Sequence, residues 1–200
     1  MPHLRLLLIL AALLAGCSPA HIPQPVSPLH YAYMPLVRLA QPTPTPTAPA
    51  CYRSGPAVDF AQLLATDARQ QRTTVRCHPA LVEAAQHRAE SMARRRYFGH
   101  CDPSGICPNP VARAAGCRLP AAYTLNGNNI ESILAGTPDP ALTWQLLSAS
   151  PAHARHLLGL DAFFREQGDI GVAFVAVPGS EYSYYWVILI AICEVPTSGE

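Results

Sequence analysis

Seven cysteines are the first residues in this chain whose chemistry depends on spacing. They stand at positions 17, 51, 77, 101, 107, 117 and 193. No CxxC pair occurs, and no short Cys/His array of the kind that chelates structural zinc. Setting Cys17 aside leaves an even set, Cys51, Cys77, Cys101, Cys107, Cys117 and Cys193, which in an oxidising compartment reads as a disulfide framework. Cys107 to Cys117 would close a tight loop, and Cys51 to Cys193 would tie the two ends of one domain together. Ser148 and Ser150 lie just before His153 and could be read as nucleophile and base. A Ser beside Pro at a helix start is more simply a cap. No glycine-rich phosphate loop is present, which leaves nucleotide chemistry unsupported.

Charge excludes one large class of partner. The formal net charge is +1, and every one of the 14 basic residues is Arg. Without a basic field, or aromatics interleaved with basic residues, the chain is not expected to bind nucleic acid. The triplet Arg94-Arg95-Arg96 reads as the solvated end of a helix.

The N-terminus, MPHLRLLLILAALLAG, carries one positive charge and then an apolar run too short to span a bilayer. The stretch Leu14-Ala15-Gly16-Cys17 resembles the lipobox of bacterial lipoproteins. That resemblance implies cleavage before Cys17, acylation of Cys17, and anchoring of an extracytoplasmic protein to the cell membrane, since two or more acyl chains suffice. Residues 1–16 are then a lipoprotein signal peptide and 17–50 a spacer. Pro recurs through that spacer, with a Thr-Pro alternation at 43–48 that favours extended conformations. Its segment His30 to Leu39 is apolar enough to touch a domain or a bilayer. Residues 51–200 form the folded domain, long enough to bury a substantial core.

The elements that must position any site follow from periodicity. Val58 to Arg72 and, more strongly, His78 to about Arg96 repeat apolar residues at helical spacing. In the second, Leu81, Ala84, Ala85, Ala89, Met92 and Ala93 make the buried stripe, and Glu83, His87, Arg88, Glu90 and Arg94 make the polar face. Glycine and proline then break the pattern, so His100 falls in a loop directly after that helix. Pro138 to Leu147, with Leu142 and Leu146 on one side, and Pro151 to Leu158 are further helices. Asp169 to Val177 and Tyr182 to Val195 flank a Pro-Gly-Ser-Glu turn and read as a hairpin. Residues 185–193 are apolar at both parities, which predicts a strand covered on both faces.

In order and spacing, the segments YFGHCDPSG, IESILAG, WQLLSASPAHARHLL, IGVAF and YYWV resemble the bacterial branch of the CAP superfamily. These are the cysteine-rich secretory, antigen 5 and pathogenesis-related 1 proteins, built on the SCP domain. The resemblance implies an α+β three-layer α-β-α sandwich, with an antiparallel sheet between helices and a C-terminal strand hairpin. It places the family's cleft residues on His100, Glu131 and His153. A rival alignment sets the family's G-E-N-I on Gly127 to Ile130 and would lose the acid, whereas the first keeps Glu131 and the Gly that follows at Gly136. The second cavity glutamate of eukaryotic members has no counterpart between Leu142 and Ser150.

The function implied is an envelope-tethered binding domain for a lipid or other small molecule, a glycan or a protein. A hydrolase of peptide or cell-wall substrate using the same cleft is the alternative, and a noncatalytic structural envelope protein a third reading, so enzymatic activity stays open. No cofactor is required. Two imidazoles and a carboxylate could hold a weakly bound Zn²⁺ at His100, Glu131 and His153, although they lie 31 and 22 residues apart and form no short chelate.

Overall fold

The computed structural model describes residues 55–194. Cys17, Cys51 and the segments read as signal peptide and spacer lie outside the described residues. Proline sets the start of most of the helices, because its fixed φ suits a first turn whose N–H has no partner to lose. It opens α1 (Pro56–Thr66), α2 (Pro79–Arg95), α3 (Pro108–Ala114), α4 (Pro140–Ala149) and α5 (Pro151–Leu157). A single turn, α6 (Ala162–Arg165), is capped instead by Asp161, whose side chain accepts from the Phe164 N–H. No helix among the described residues is long and apolar enough to cross a membrane.

The strands are β1 (Arg76–Cys77), β2 (Glu131–Ala135), β3 (Asp169–Ala176) and β4 (Tyr184–Ala191). They form one sheet in the order β1-β3-β4-β2. β3 and β4 are the expected antiparallel hairpin, and β2 adds antiparallel to β4 at the sheet edge. The sheet is mixed rather than antiparallel throughout, because β1 runs parallel to β3. β4 is buried from Tyr185 to Ala191. Tyr185, Val187, Leu189 and Ala191 pack under α2 and α3, while Trp186, Ile188 and Ile190 pack under α1, α4 and α5. Alternation along a strand thus divides one apolar run between two cores, as expected of an α-β-α sandwich.

The two cores are built differently. The α2 side is lined by Ala84, Ala85, Ala89 and Ala93, small residues that let the helix come close. At Gly171 on β3 an added Cβ would sit 2.2 Å from the Leu81 carbonyl carbon, so only glycine fits where α2 crosses the sheet. The opposite core is filled by Phe60, Trp144 and Trp186, whose rings meet at 5.6 and 5.7 Å between centroids.

One expectation about side chains fails here and one is sharpened. In α4 Leu142 and Leu146 do share a side, but it is the exposed one, and it is Thr143, Trp144 and Leu147 that are buried. The Asp139 cap at the Ala141 and Leu142 N–H groups fixes where this helix begins, and the sheet then takes the opposite side. Arg88, placed on the polar face of α2, is 1% exposed.

The disulfides also pair otherwise than expected. Cys101 joins Cys107, and Cys117 joins Cys193; Cys77 is disulfide-bonded as well. Cys107 cannot reach Cys117 because the seven residues of α3 stand between them, a rise of about 10 Å against the roughly 7 Å Cα limit of a disulfide. Cys193, directly after β4, is held instead against the loop that follows α3, where the Glu194 N–H donates to the Arg118 carbonyl. Cys51 to Cys193 is thereby excluded.

Candidate functional site

The cleft forms where edge strand β2 meets the loop after α2 and the start of α5. Asn128 sets the entry to β2, since its Oδ1 accepts from the Glu131 N–H at 2.8 Å and its Nδ2 donates to the Glu131 carbonyl. From that fixed start, Glu131 and Ser132 point to opposite faces of the strand. Glu131 goes to the α2 side and Ser132 to the α5 side, and the cleft of about 290 Å³ takes lining from both.

On the α2 side the carboxylate of Glu131 is fully buried and ion-paired with Arg88, Nε to Oε2 at 3.0 Å. The same guanidinium donates to Tyr97 Oη at 2.9 Å and to the carbonyls of Gly99 and His100 at 2.8 and 2.6 Å. One buried cation therefore satisfies the acid and pins the backbone of the loop that carries His100. The other carboxylate oxygen meets His100 Nδ1 at 3.0 Å, while the imidazole keeps 44% of its side-chain surface exposed. Arg96 ends α2 in the left-handed region at φ 53°. The loop beyond it is stiffened by Asp102, which accepts from the Ser104 and Ile106 N–H groups and pairs with Arg95. The Cys101–Cys107 disulfide closes the same turn.

On the α5 side Ser132 Oγ lies 2.7 Å from His156 Nδ1, both buried. Burial, followed by the positive charge of nearby Arg72, pushes the His156 imidazole down to about 3, against the opposing pull of a hydrogen bond to the Ile190 backbone. Among the described residues the buried Nδ1 of His153, one turn earlier, has no hydrogen-bond partner. Burial and the neighbouring His100 hold His153 below the usual imidazole range. Arg155 and Phe164 complete this wall. The Arg155 guanidinium lies 5.5 Å from the Phe164 ring centre and pairs with Asp161 at 2.8 Å.

His100, Glu131 and His153 thus line one cleft. Reading the sequence for patterns missed Arg88, Ser132 and His156. His156 follows His153 at i+3, one helical turn, and that spacing was the available signal. Arg88 carried none, because an arginine among polar neighbours on a helix ordinarily faces water.

The zinc expectation is overturned. Among the described residues no group of three or more His, Cys, Asp or Glu is placed to hold a metal ion. The physical reason is Arg88: both carboxylate oxygens of Glu131 are already occupied, by a guanidinium and by His100, and a cation would have to displace a buried ion pair.

No family model and no curated protein matches the sequence. Two solved structures share its fold. An outer surface protein from Borrelia burgdorferi aligns with a TM-score of 0.52 at 14% identity, over 68% of this chain and 91% of that one. An extracellular protein containing a SCP domain from Bacillus anthracis str. Ames aligns at 0.50 and 16% identity, over 68% of this chain. This chain spans 40% of the Bacillus protein's length. Identities this low speak for the fold alone.

Proposed function

We propose that the chain is an extracytoplasmic binding domain, tethered to the membrane through a lipidated Cys17, that takes part of a small molecule, glycan or protein partner into the cleft between His100 and His153. Residues 1–16 serve as signal peptide, 17–50 as spacer and 51–200 as the binding domain. The outer-surface and extracellular proteins that share its fold support the location, and the lipobox resemblance supports the anchor.

One observation carries the binding reading. His100, Glu131 and His153 line one cleft of about 290 Å³, and among the described residues a nitrogen of His153 has no hydrogen-bond partner, a cost that a ligand's polar group would offset. Its bases, by contrast, are poorly set for catalysis. Ser132 is 1% exposed, and its partner His156 is too weak a base near neutral pH.

Hydrolysis is the second reading, favoured by the His100–Glu131 contact, which would orient the imidazole with its outer nitrogen free. Native mass spectrometry of the full chain recovered from its membrane, alongside His153→Ala, tests both. A co-extracted species retained by the wild type and lost from the variant supports binding. Turnover of peptide or cell-wall fragments, abolished in His100→Ala, would replace it with hydrolysis. Labelling with radioactive palmitate checks the anchor, with label expected on the wild type and none on Cys17→Ser.

A further inference from the structure

Leu125 is the most exposed large hydrophobic side chain among the described residues, at 83% against 49% for the next, Leu146. No slack loop leaves it there. Arg113 of α3 donates to the carbonyls of Tyr123, Thr124 and Leu125, and Asn109 donates to the Thr124 carbonyl as well. The next residue, Asn126, holds the backbone on both sides of Ile106, accepting from the Cys107 N–H at 3.0 Å and donating to the Gly105 carbonyl at 2.9 Å. Ile106 is itself 48% exposed. Two braced loops therefore lie side by side, each with an aliphatic residue in water. Ile106 also lines an apolar cleft of about 420 Å³ with Pro110, Val111 and Ala114 of α3.

A loop can enter the boundary of a bilayer only if its backbone polar groups keep partners when water leaves. The three carbonyls around Leu125 take theirs from the chain itself. Charge selects the kind of surface. Residues 103–130, which include α3 and both loops, hold Arg113 and Arg118 and no acidic residue, in a chain whose net charge is only +1. Arg113 makes no ion pair among the described residues, so its charge stays uncancelled beside Leu125. Asp102, which accepts from the Ile106 N–H, is paired with Arg95, and Glu83 lies across the apolar cleft on α2. A guanidinium next to an exposed leucine suits anionic headgroups lying over acyl chains.

We propose that the face formed by α3 and its two flanking loops docks on a bilayer surface carrying anionic lipids, with Leu125 and Ile106 entering the interface and Arg113 at the headgroups. This rests on the tethered reading above. An anchored domain meets the bilayer at high effective concentration, so a contact too weak to hold a free protein suffices to orient this one.

The test puts an indole at the loop tip of the full chain, recovered from its membrane and reconstituted in vesicles. Leu125→Trp is compared with Leu146→Trp on α4, which packs on the opposite side of the sheet from α3. Native Trp144 and Trp186, 9% and 0% exposed, supply the background. Vesicles of phosphatidylglycerol and phosphatidylcholine with brominated acyl chains should quench the fluorescence added by Leu125→Trp and spare that added by Leu146→Trp. Ile106→Ser, combined with Leu125→Trp, should weaken docking by up to about tenfold. Salt at about 1 M, which screens charges beyond about 3 Å, should also lower the quenched fraction. No quenching at position 125, or equal quenching at both positions, would overturn the docked face. Quenching as strong in phosphatidylcholine alone would overturn the anionic partner. Labelling with palmitate reads the anchor separately: label on Cys17 without quenching keeps the tether and removes the docking, whereas quenching without label keeps the docking and removes the tether.

Discussion

Strand β2 divides the cleft into halves of contrasting construction. On one side Glu131 is charged, buried and saturated with partners, with Arg88 reaching at once to the acid, to Tyr97 and to two carbonyls of the His100 loop. On the other, Ser132 and two imidazoles form a neutral, sparsely bonded wall, with a nitrogen of His153 unpartnered among the described residues. Adjacent residues of one strand generate both, because successive side chains leave opposite faces. The contrast assigns different work to each half. The saturated half holds shape, since its buried acid and guanidinium already have partners. The other half leaves bonding capacity unused.

The largest effect should come from breaking the saturated half. Arg88→Met leaves the Glu131 carboxylate buried and uncompensated, and should cost about 3–5 kcal/mol in urea unfolding. Adding Glu131→Leu should recover most of it, since burying neither charge avoids the desolvation penalty. A single variant as stable as wild type would show that the pair is not what fixes the His100 loop.

Next comes pH, which acts on the neutral half. The His156 imidazole sits at about 3 when folded and near 6.5 when unfolded. A depressed folded value means its contribution is fully present above about pH 6.5 and is lost as pH falls toward 3, at about 1.4 kcal/mol for each unit. Unfolding curves of the wild type should steepen in this way relative to His156→Phe between pH 6 and 4.5. Equal slopes would mean that this imidazole charges freely in the folded protein.

Ser132→Ala removes the hydrogen-bond partner of His156 Nδ1 and should cost about 1–3 kcal/mol, with thermal unfolding as the readout. The smallest effect belongs to the rim. His100→Ala takes away a half-exposed contact from an acid that Arg88 still holds, so stability should change by less than about 1 kcal/mol. A larger loss would place His100 in the structural half.

How far this was legible from sequence depended on whether a signal was periodic. Helix α2 and the β3–β4 hairpin were readable because apolar spacing repeats across many residues, and the double-sided apolar run of β4 announced two covering layers. α3 and β2 were not. α3 is seven residues that begin at Pro108 and carry a second proline at Pro110, and β2 is five residues at an edge, too short for either period to establish itself. Leu142 and Leu146 share a helical face, as do Thr143, Trp144 and Leu147; composition alone favours the leucines, and the larger Trp144 ring packing on Phe60 decided otherwise. The cleft residues His100, Glu131 and His153 came through family resemblance. The charge that governs them, Arg88, lies 43 residues before Glu131, and only tertiary packing joins them.

The Cys117–Cys193 bond encloses a stretch of chain that holds Glu131, Ser132, His153, His156 and all of β2, β3 and β4, while Arg88 and His100 lie before it. A protease cutting once in that stretch, for instance beside Leu125, which is 83% exposed, would leave both products covalently joined. Damage of that kind opens the backbone without releasing the sheet, so a nicked molecule would migrate as one piece until its disulfides were reduced.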